Sequence, residues 1–140
     1  MLSASCHCGA VRLTLQQRPG YVNNCNCSFC HKAGAVWGYF ASSEVSVAGA
    51  THCYTRADKP DPAVSLHFCP ICGNTTHWLL APAFLAKNPG VDRMGVNMRL
   101  FESTDLTGVE VRYPDGASWD GAGAYADLRV ATALGPGDKL

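Results

Sequence analysis

The segment CNCSFCHK, Cys25 to Lys32, places three thiols within six residues. Two further pairs stand elsewhere, Cys6 and Cys8 in CHCG and Cys69 and Cys72 in CPICG, while Cys53 is alone in HCYT. A thiolate is a soft metal ligand and a nucleophile, so thiols grouped this closely point to metal chemistry. In CPICG two sulfurs three residues apart can reach one metal while the turn aims backbone N–H groups at them, and Gly73 can take the positive φ that closes it. Gly9 can do the same after Cys8. Each such turn supplies two thiolates, and tetrahedral zinc takes four. The simplest assembly joins Cys6 and Cys8 to Cys69 and Cys72, a closed and chemically inert site that clamps the N-terminal strand to a central hairpin. Iron also fits four cysteines, and residue types barely separate it from zinc.

Cys25, Cys27 and Cys30 remain for a second metal. Three protein ligands and an open fourth position define a catalytic zinc. The competing arrangement closes the site with Cys53 or with the adjacent His31. Spacing does not choose between them. An open position points to an enzyme, a filled one to a scaffold.

The elements that would position these thiols are short. Val11, Leu13 and Leu15 alternate with Arg12 and Thr14, the period of a half-buried strand, until Arg18-Pro19-Gly20 breaks it. The cysteine segment leads into a short turn of helix. AVWGYFA, EVSVAG, HCYTR and GVEVRY read as strands, with Gly49 separating the middle two. VSLHF leads into CPICG and NTTHWLL leads out, a strand–turn–strand hairpin. Lys59-Pro60-Asp61-Pro62 is a rigid loop, PAFLAKNPG a turn-rich connection, and PDGASWDG a loop. RMGVNMRLF reads as a strand with Met94, Val96, Met98 and Leu100 on one face. Many short strands without a long helical period predict a mainly β domain over residues 1–129, with 130–140 a fraying tail.

A chain of 140 residues buries roughly 70% of its unfolded surface, enough for one core without help. Eleven basic residues balance eleven acidic ones and form no cluster, which disfavours nucleic acid and anionic membrane surfaces as partners. The N-terminal MLSASCHCGAVRLTL has no basic segment ahead of a long apolar one, and the apolar run Ala33 to Ala41 is too short to span a bilayer. A soluble, cytoplasmic protein is expected. Reducing cytosol keeps thiols free, so the eight cysteines read as metal ligands rather than disulfides.

The order CxC, CxCxxC, CxxCG resembles the glutathione-dependent formaldehyde-activating enzyme family, with CNCSFC and FCPICG matching its usual forms. The likeness runs roughly from Cys6 to Trp119, and the same domain occurs in a chromatin-associated centromere protein. The resemblance implies a β-tent of short antiparallel strands pinned by two zinc sites. By motif match, Cys6, Cys8, Cys69 and Cys72 would hold a structural zinc. Cys25, Cys27 and Cys30 would hold a labile, catalytic zinc with an open fourth position, and Cys53 lies outside the motif as a spare core cysteine. The implied activity is that of a carbon–sulfur lyase of the S-(hydroxymethyl)glutathione synthase type, taking glutathione or another small thiol and an aldehyde. A two-zinc scaffold or a glutathione carrier would carry the same cysteines. After the hairpin, GVNMRLFESTDL and VRYPDGASWDG depart from the glycine–leucine–aspartate segment of many relatives, in a region expected to bind substrate.

Other residues carry weaker signals. Asn97 and Arg99 fall on the polar face of the RMGVNMRLF strand, as a solvated face or as a carboxylate hook. Trp37 and Tyr39 follow the three cysteines and read first as core, second as cleft wall. His7 is expected to point away from the metal, His31 to lie on the surface, and His67 and His77 to bracket the CPICG turn. Asp115 and Asp120 flank Trp119 in ordinary turn chemistry.

Overall fold

The alternation of apolar and polar residues becomes two sheets with a core between them. The computed structural model describes residues 1–140. Its strands are β1 (Leu2–Ser5), β2 (Arg12–Leu15), β3 (Tyr21–Asn23), β4 (Trp37–Phe40), β5 (Val45–Ala48), β6 (His52–Thr55), β7 (Val64–Phe68), β8 (Thr75–Leu80), β9 (Met94–Asn97), β10 (Glu110–Arg112) and β11 (Thr132–Ala133). Two six-residue helices, α1 (Ser28–Ala33) and α2 (Pro82–Lys87), interrupt them. One sheet runs β1-β2-β5, the other β11-β10-β3-β4-β9-β8-β7-β6. The mainly β, antiparallel fold is as expected, with one exception. β10 and β3 pair in parallel, Val111 opposite Val22. No helix is long and apolar enough to cross a membrane.

The core lies between the small sheet and the β10-β3-β4-β9 part of the large one. Leu13 and Leu15 from β2 meet Val22, Val36, Phe40, Val96 and Val111 in one cluster. Each such side chain contributes about 1.5–3 kcal/mol on burial. Because successive strand residues face opposite sides, the alternate positions Tyr21, Asn23, Trp37, Tyr39 and Arg112 emerge on the other face of the large sheet. A smaller cluster of Trp37, Leu66 and Trp78 gathers with Ala35. Trp78 lies across β9 because Gly95, its register partner, has no Cβ; one there would meet the indole Nε1 at 2.0 Å.

Several elements differ from the sequence reading. Pro82–Lys87 is helical rather than a turn-rich connection: Pro82 opens the first turn, where its missing N–H costs nothing, and Leu85 N donates to Ala81 O. The strand expected over RMGVNMRLF ends at Asn97, and Met98–Leu100 is a turn of 3-10 helix. Asn97 is not on a solvated face. It is 4% exposed, its Oδ1 accepts from Val36 N (3.3 Å) and Arg99 N (3.2 Å), and its Nδ2 donates to Thr75 O (3.0 Å). The residues beyond 130 do not simply fray: β11 pairs with β10, and Leu134 joins the core. Cys53 is exposed on β6, not a core cysteine.

Asn97 therefore ties β9, β8 and the segment before β4 together. Asn97→Ala leaves buried backbone groups unpaired, and a loss of about 2–4 kcal/mol in unfolding free energy is expected from denaturant titration. A loss below about 0.5 kcal/mol would place those groups in contact with water instead.

Candidate metal centres and the cleft over one of them

The first thiol group is assembled by two turns of similar plan. Gly9 N donates to Cys6 O and Cys6 N to Val11 O; Gly73 N donates to Cys69 O and Cys69 N to Asn74 O, all at 2.9 Å. Gly9 and Gly73 sit at φ 78° and 74°, where a side chain would be strained. His7 N reaches Asn74 Oδ1 (2.7 Å) and links one turn to the other. The result brings Cys6, Cys8, Cys69 and Cys72 together, their four sulfurs all within 4.8 Å of one another. Cys6–Cys8 and Cys8–Cys69 sulfur separations are 3.6 Å. A tetrahedral metal with bonds of about 2.3 Å needs edges of about 3.8 Å, so this donor set fits zinc. Val11 N donates to Cys6 Sγ at 3.3 Å. Backbone N–H groups of Asn74 and Cys8 hold the Cys72 thiol down at about 6.

The second group sits where β3 hands over to α1. Cys27 is the N-cap of α1 in extended conformation, and its sulfur accepts from Cys30 N at 3.4 Å. Cys25 Sγ accepts from Cys27 N (3.5 Å), and the Trp37 indole N–H donates to Cys30 Sγ (3.2 Å). These three sulfurs also lie within 4.8 Å of one another. Hydrogen bonds from Cys25 and Cys30 drive the Cys27 thiol down to about 2, while Cys25 and Cys27 push Cys30 far up. The cluster thus ionises once with ease and resists further ionisation unless a cation joins it. That donor set too fits a metal ion. Neither Cys53 nor His31 belongs to the group, and both are exposed.

The two groups differ in what lies above them. Cys25, Cys27 and Cys30 line a cleft of about 950 Å³ on the outer face of the large sheet; the four-cysteine group does not. Trp37 and Tyr39, read first as core, form its floor, and Trp37 is also 2% exposed. Asn23 Nδ2 donates to the Tyr39 hydroxyl (2.8 Å), and burial pushes the Tyr39 phenol up, so it stays neutral. Four cationic side chains line the cleft, Arg56, Lys59, Arg93 and Arg112, against one carboxylate, Asp127. Three are held over aromatic faces: Arg112 over Tyr21 (3.7 Å), Arg93 over Tyr39 (4.3 Å) and Arg56 over Phe29 (5.3 Å). Arg56 also makes a two-pronged pair with Asp58 at 2.9 and 2.5 Å. Sequence reading missed these cations because they come from separate segments. Only the alternation of β3 and β10 carried a signal, for Tyr21 and Arg112. Arg99 and Asn97 do not line the cleft.

Residues 1–103 match the family model described as glutathione-dependent formaldehyde-activating enzyme. A Halomonas elongata protein provisionally named as such an enzyme is 33% identical over 91 residues, covering 59% of this chain and 57% of that protein. The match thus spans little more than half the length of that curated relative. A crystal structure of a Rhodobacter sphaeroides protein from a structural genomics programme has a TM-score of 0.55 and 29% identity, covering 72% of this chain and 88% of that one. With most of its length matched, the chain belongs to the glutathione-dependent formaldehyde-activating enzyme family.

His67 and His77 do face each other across β7 and β8, stacked with centroids 4.6 Å apart. Burial, then the neighbouring His67, lowers His77 to about 4. Between that value and the unfolded 6.5, only the unfolded chain takes up this proton. Stability from this group is complete above pH 6.5 and falls as pH drops toward 4, by about 2 kcal/mol from pH 7 to 5. The imidazole midpoint read by NMR should lie near 4, and His77→Gln should flatten that part of the pH–stability curve. An ordinary midpoint near 6.5 would contradict the burial argument.

Proposed function

We propose that the chain is a zinc-dependent carbon–sulfur lyase acting on the adduct of glutathione, or a similar anionic thiol, with an aldehyde, in the S-(hydroxymethyl)glutathione synthase manner. One observation carries this reading: the three-thiol group opens into a cation-lined cleft while the four-thiol group does not. Cys6, Cys8, Cys69 and Cys72 would hold a structural zinc, and Cys25, Cys27 and Cys30 a second one. When bound at the second group, zinc supplies positive charge that favours the thiolate form of an incoming thiol.

The residues of the chain do the rest. Lys59 and Arg93 offer hydrogen-bond donors to the carboxylates of the thiol carrier, and Arg56 and Arg112, already paired with Asp58 and Glu110, offer their remaining N–H groups. Their positive field also favours a thiolate over a thiol at the cleft floor. The Trp37 N–H fixes Cys30, and Tyr39 and Trp78 wall the reacting centre from water. In the addition direction the thiolate sulfur bonds to the carbonyl carbon, the C=O electron pair moves to oxygen, and oxygen takes a proton. In the lyase direction the hydroxyl loses that proton, C=O re-forms, the C–S bond breaks, and sulfur leaves as thiolate. The eight free thiols suit a reducing cytoplasm, where this reading places the protein. A purely structural two-zinc module would leave the cationic cleft without a role.

With two thiol groups, zinc per chain by elemental analysis is expected near two, falling toward one on dialysis against millimolar glutathione. Cys27→Ser should lose the second zinc and the release of aldehyde from S-(hydroxymethyl)glutathione together. An active one-zinc variant would sink the reading.

A further inference from the structure

Residues 114–127 lie beyond the part of the chain that matches the family model, yet they roof the three-cysteine group. The segment is closed at its base. Pro114 bridges Asp127, Asp115 N donates to Ala126 O (2.8 Å), and Leu128 N to Tyr113 O (2.9 Å). Its tip is organised by Trp119 and Tyr125, whose rings pack with centroids 4.4 Å apart, and by Trp119 Nε1 donating to Ala122 O (3.0 Å). Between base and tip the backbone passes directly over the thiols. A Cβ at Gly116 would stand 2.4 Å from Cys25 Sγ and 3.7 Å from a Tyr125 ring carbon. No side chain fits there.

A single residue of the cysteine loop latches this strap. Asn26, between Cys25 and Cys27, donates from Nδ2 to Asp115 Oδ1 (2.8 Å) and accepts at Oδ1 from Ala117 N (2.9 Å). The same Asp115 oxygen takes Ser118 N at 3.3 Å. The carboxamide offers its donor and its acceptor on two separate atoms, one for each point; a carboxylate loses the donor, and a hydroxyl would have to serve both points from one oxygen. Residues 121–130 are otherwise exposed, so little besides this latch and the base holds the strap down.

We propose that residues 114–127 are the specificity-determining wall of the cleft, and that Asn26 is the positioning residue that seats this wall over the three cysteines. Trp119 and Tyr125 then set the size and flatness of the group that fits beside the substrate sulfur. The proposal rests on the lyase reading only for its kinetic part; the latch itself is independent of turnover.

The test is a charge-conserving swap in the zinc-loaded protein. Asn26→Asp removes the donor and faces two carboxylates at each other, while Asn26→Asp with Asp115→Asn restores one donor–acceptor pair in reversed sense. In the single variant, backbone amide exchange over 115–119 should rise roughly tenfold, the loss of one charge-assisted hydrogen bond. KM for S-(hydroxymethyl)glutathione should rise by a similar factor with kcat held within about twofold. The swap should return both, at unchanged zinc per chain. Exchange and KM equal to those of the unaltered protein, or effects that persist in the swap, would overturn the latch. If no thiol adduct is turned over by the unaltered protein, the lyase reading falls, and amide exchange with its rescue still decides the role of Asn26.

Discussion

The structure depends on sulfurs from distant segments sharing one small volume. Cys6 and Cys8 follow β1, Cys69 and Cys72 close the β7–β8 hairpin, and the four meet within 4.8 Å. No strand pairing joins the two sheets. What joins them is the apolar cluster between them and this thiol junction. Two thiolates about 4 Å apart repel by about 4 kcal/mol at an effective dielectric of 20, so four ionised sulfurs hold together only around a cation. The turns are built for that. Left-handed glycines bend the chain tightly, and inward-facing N–H groups soften the charge.

The second group follows from the same constraint with one piece removed. Instead of a second turn, a helix start supplies the partner: Cys27 caps α1 and Cys30 sits one turn on. The large sheet then decides what the group faces. Its inner residues, Val22, Val36, Val96 and Val111, fill the core, and their alternates become the cleft floor. One alternating pattern therefore serves the core on one side and the cleft on the other. The cationic rim follows the same economy, because each of three arginines lies over an aromatic ring of that floor or of α1.

Much of this was legible in the sequence. The two-residue period marked β2 and β9, short strand-like runs between turn residues marked β4 to β8 and β10, and cysteine spacing together with resemblance marked both thiol groups. Elements that lack a local period were not. α2 has six residues, too few to repeat a helical face, and its only clear signal is the proline at its start. Asn97 looked solvated because a polar residue alternating with methionines ordinarily is; only the tertiary fold supplies three backbone partners that bury it. β11 has two residues and needs β10 beside it to exist. The arginines of the cleft are each ordinary in their own segment. Their convergence is a property of the sheet order, which no window of residues contains.

The parallel pairing of β10 with β3 has a temporal meaning. β3 carries the chain into the cysteine loop, and its free edge is covered only by a strand from near the other end of the chain. Such a pairing closes a very long loop and forms late. During synthesis the hairpin that carries Cys69 and Cys72 is complete while β3, already paired with β4, still waits for its second neighbour. The closed thiol group can therefore form before the open one has its roof. The order of synthesis thus favours assembling the four-cysteine junction before the cleft over the three cysteines is walled.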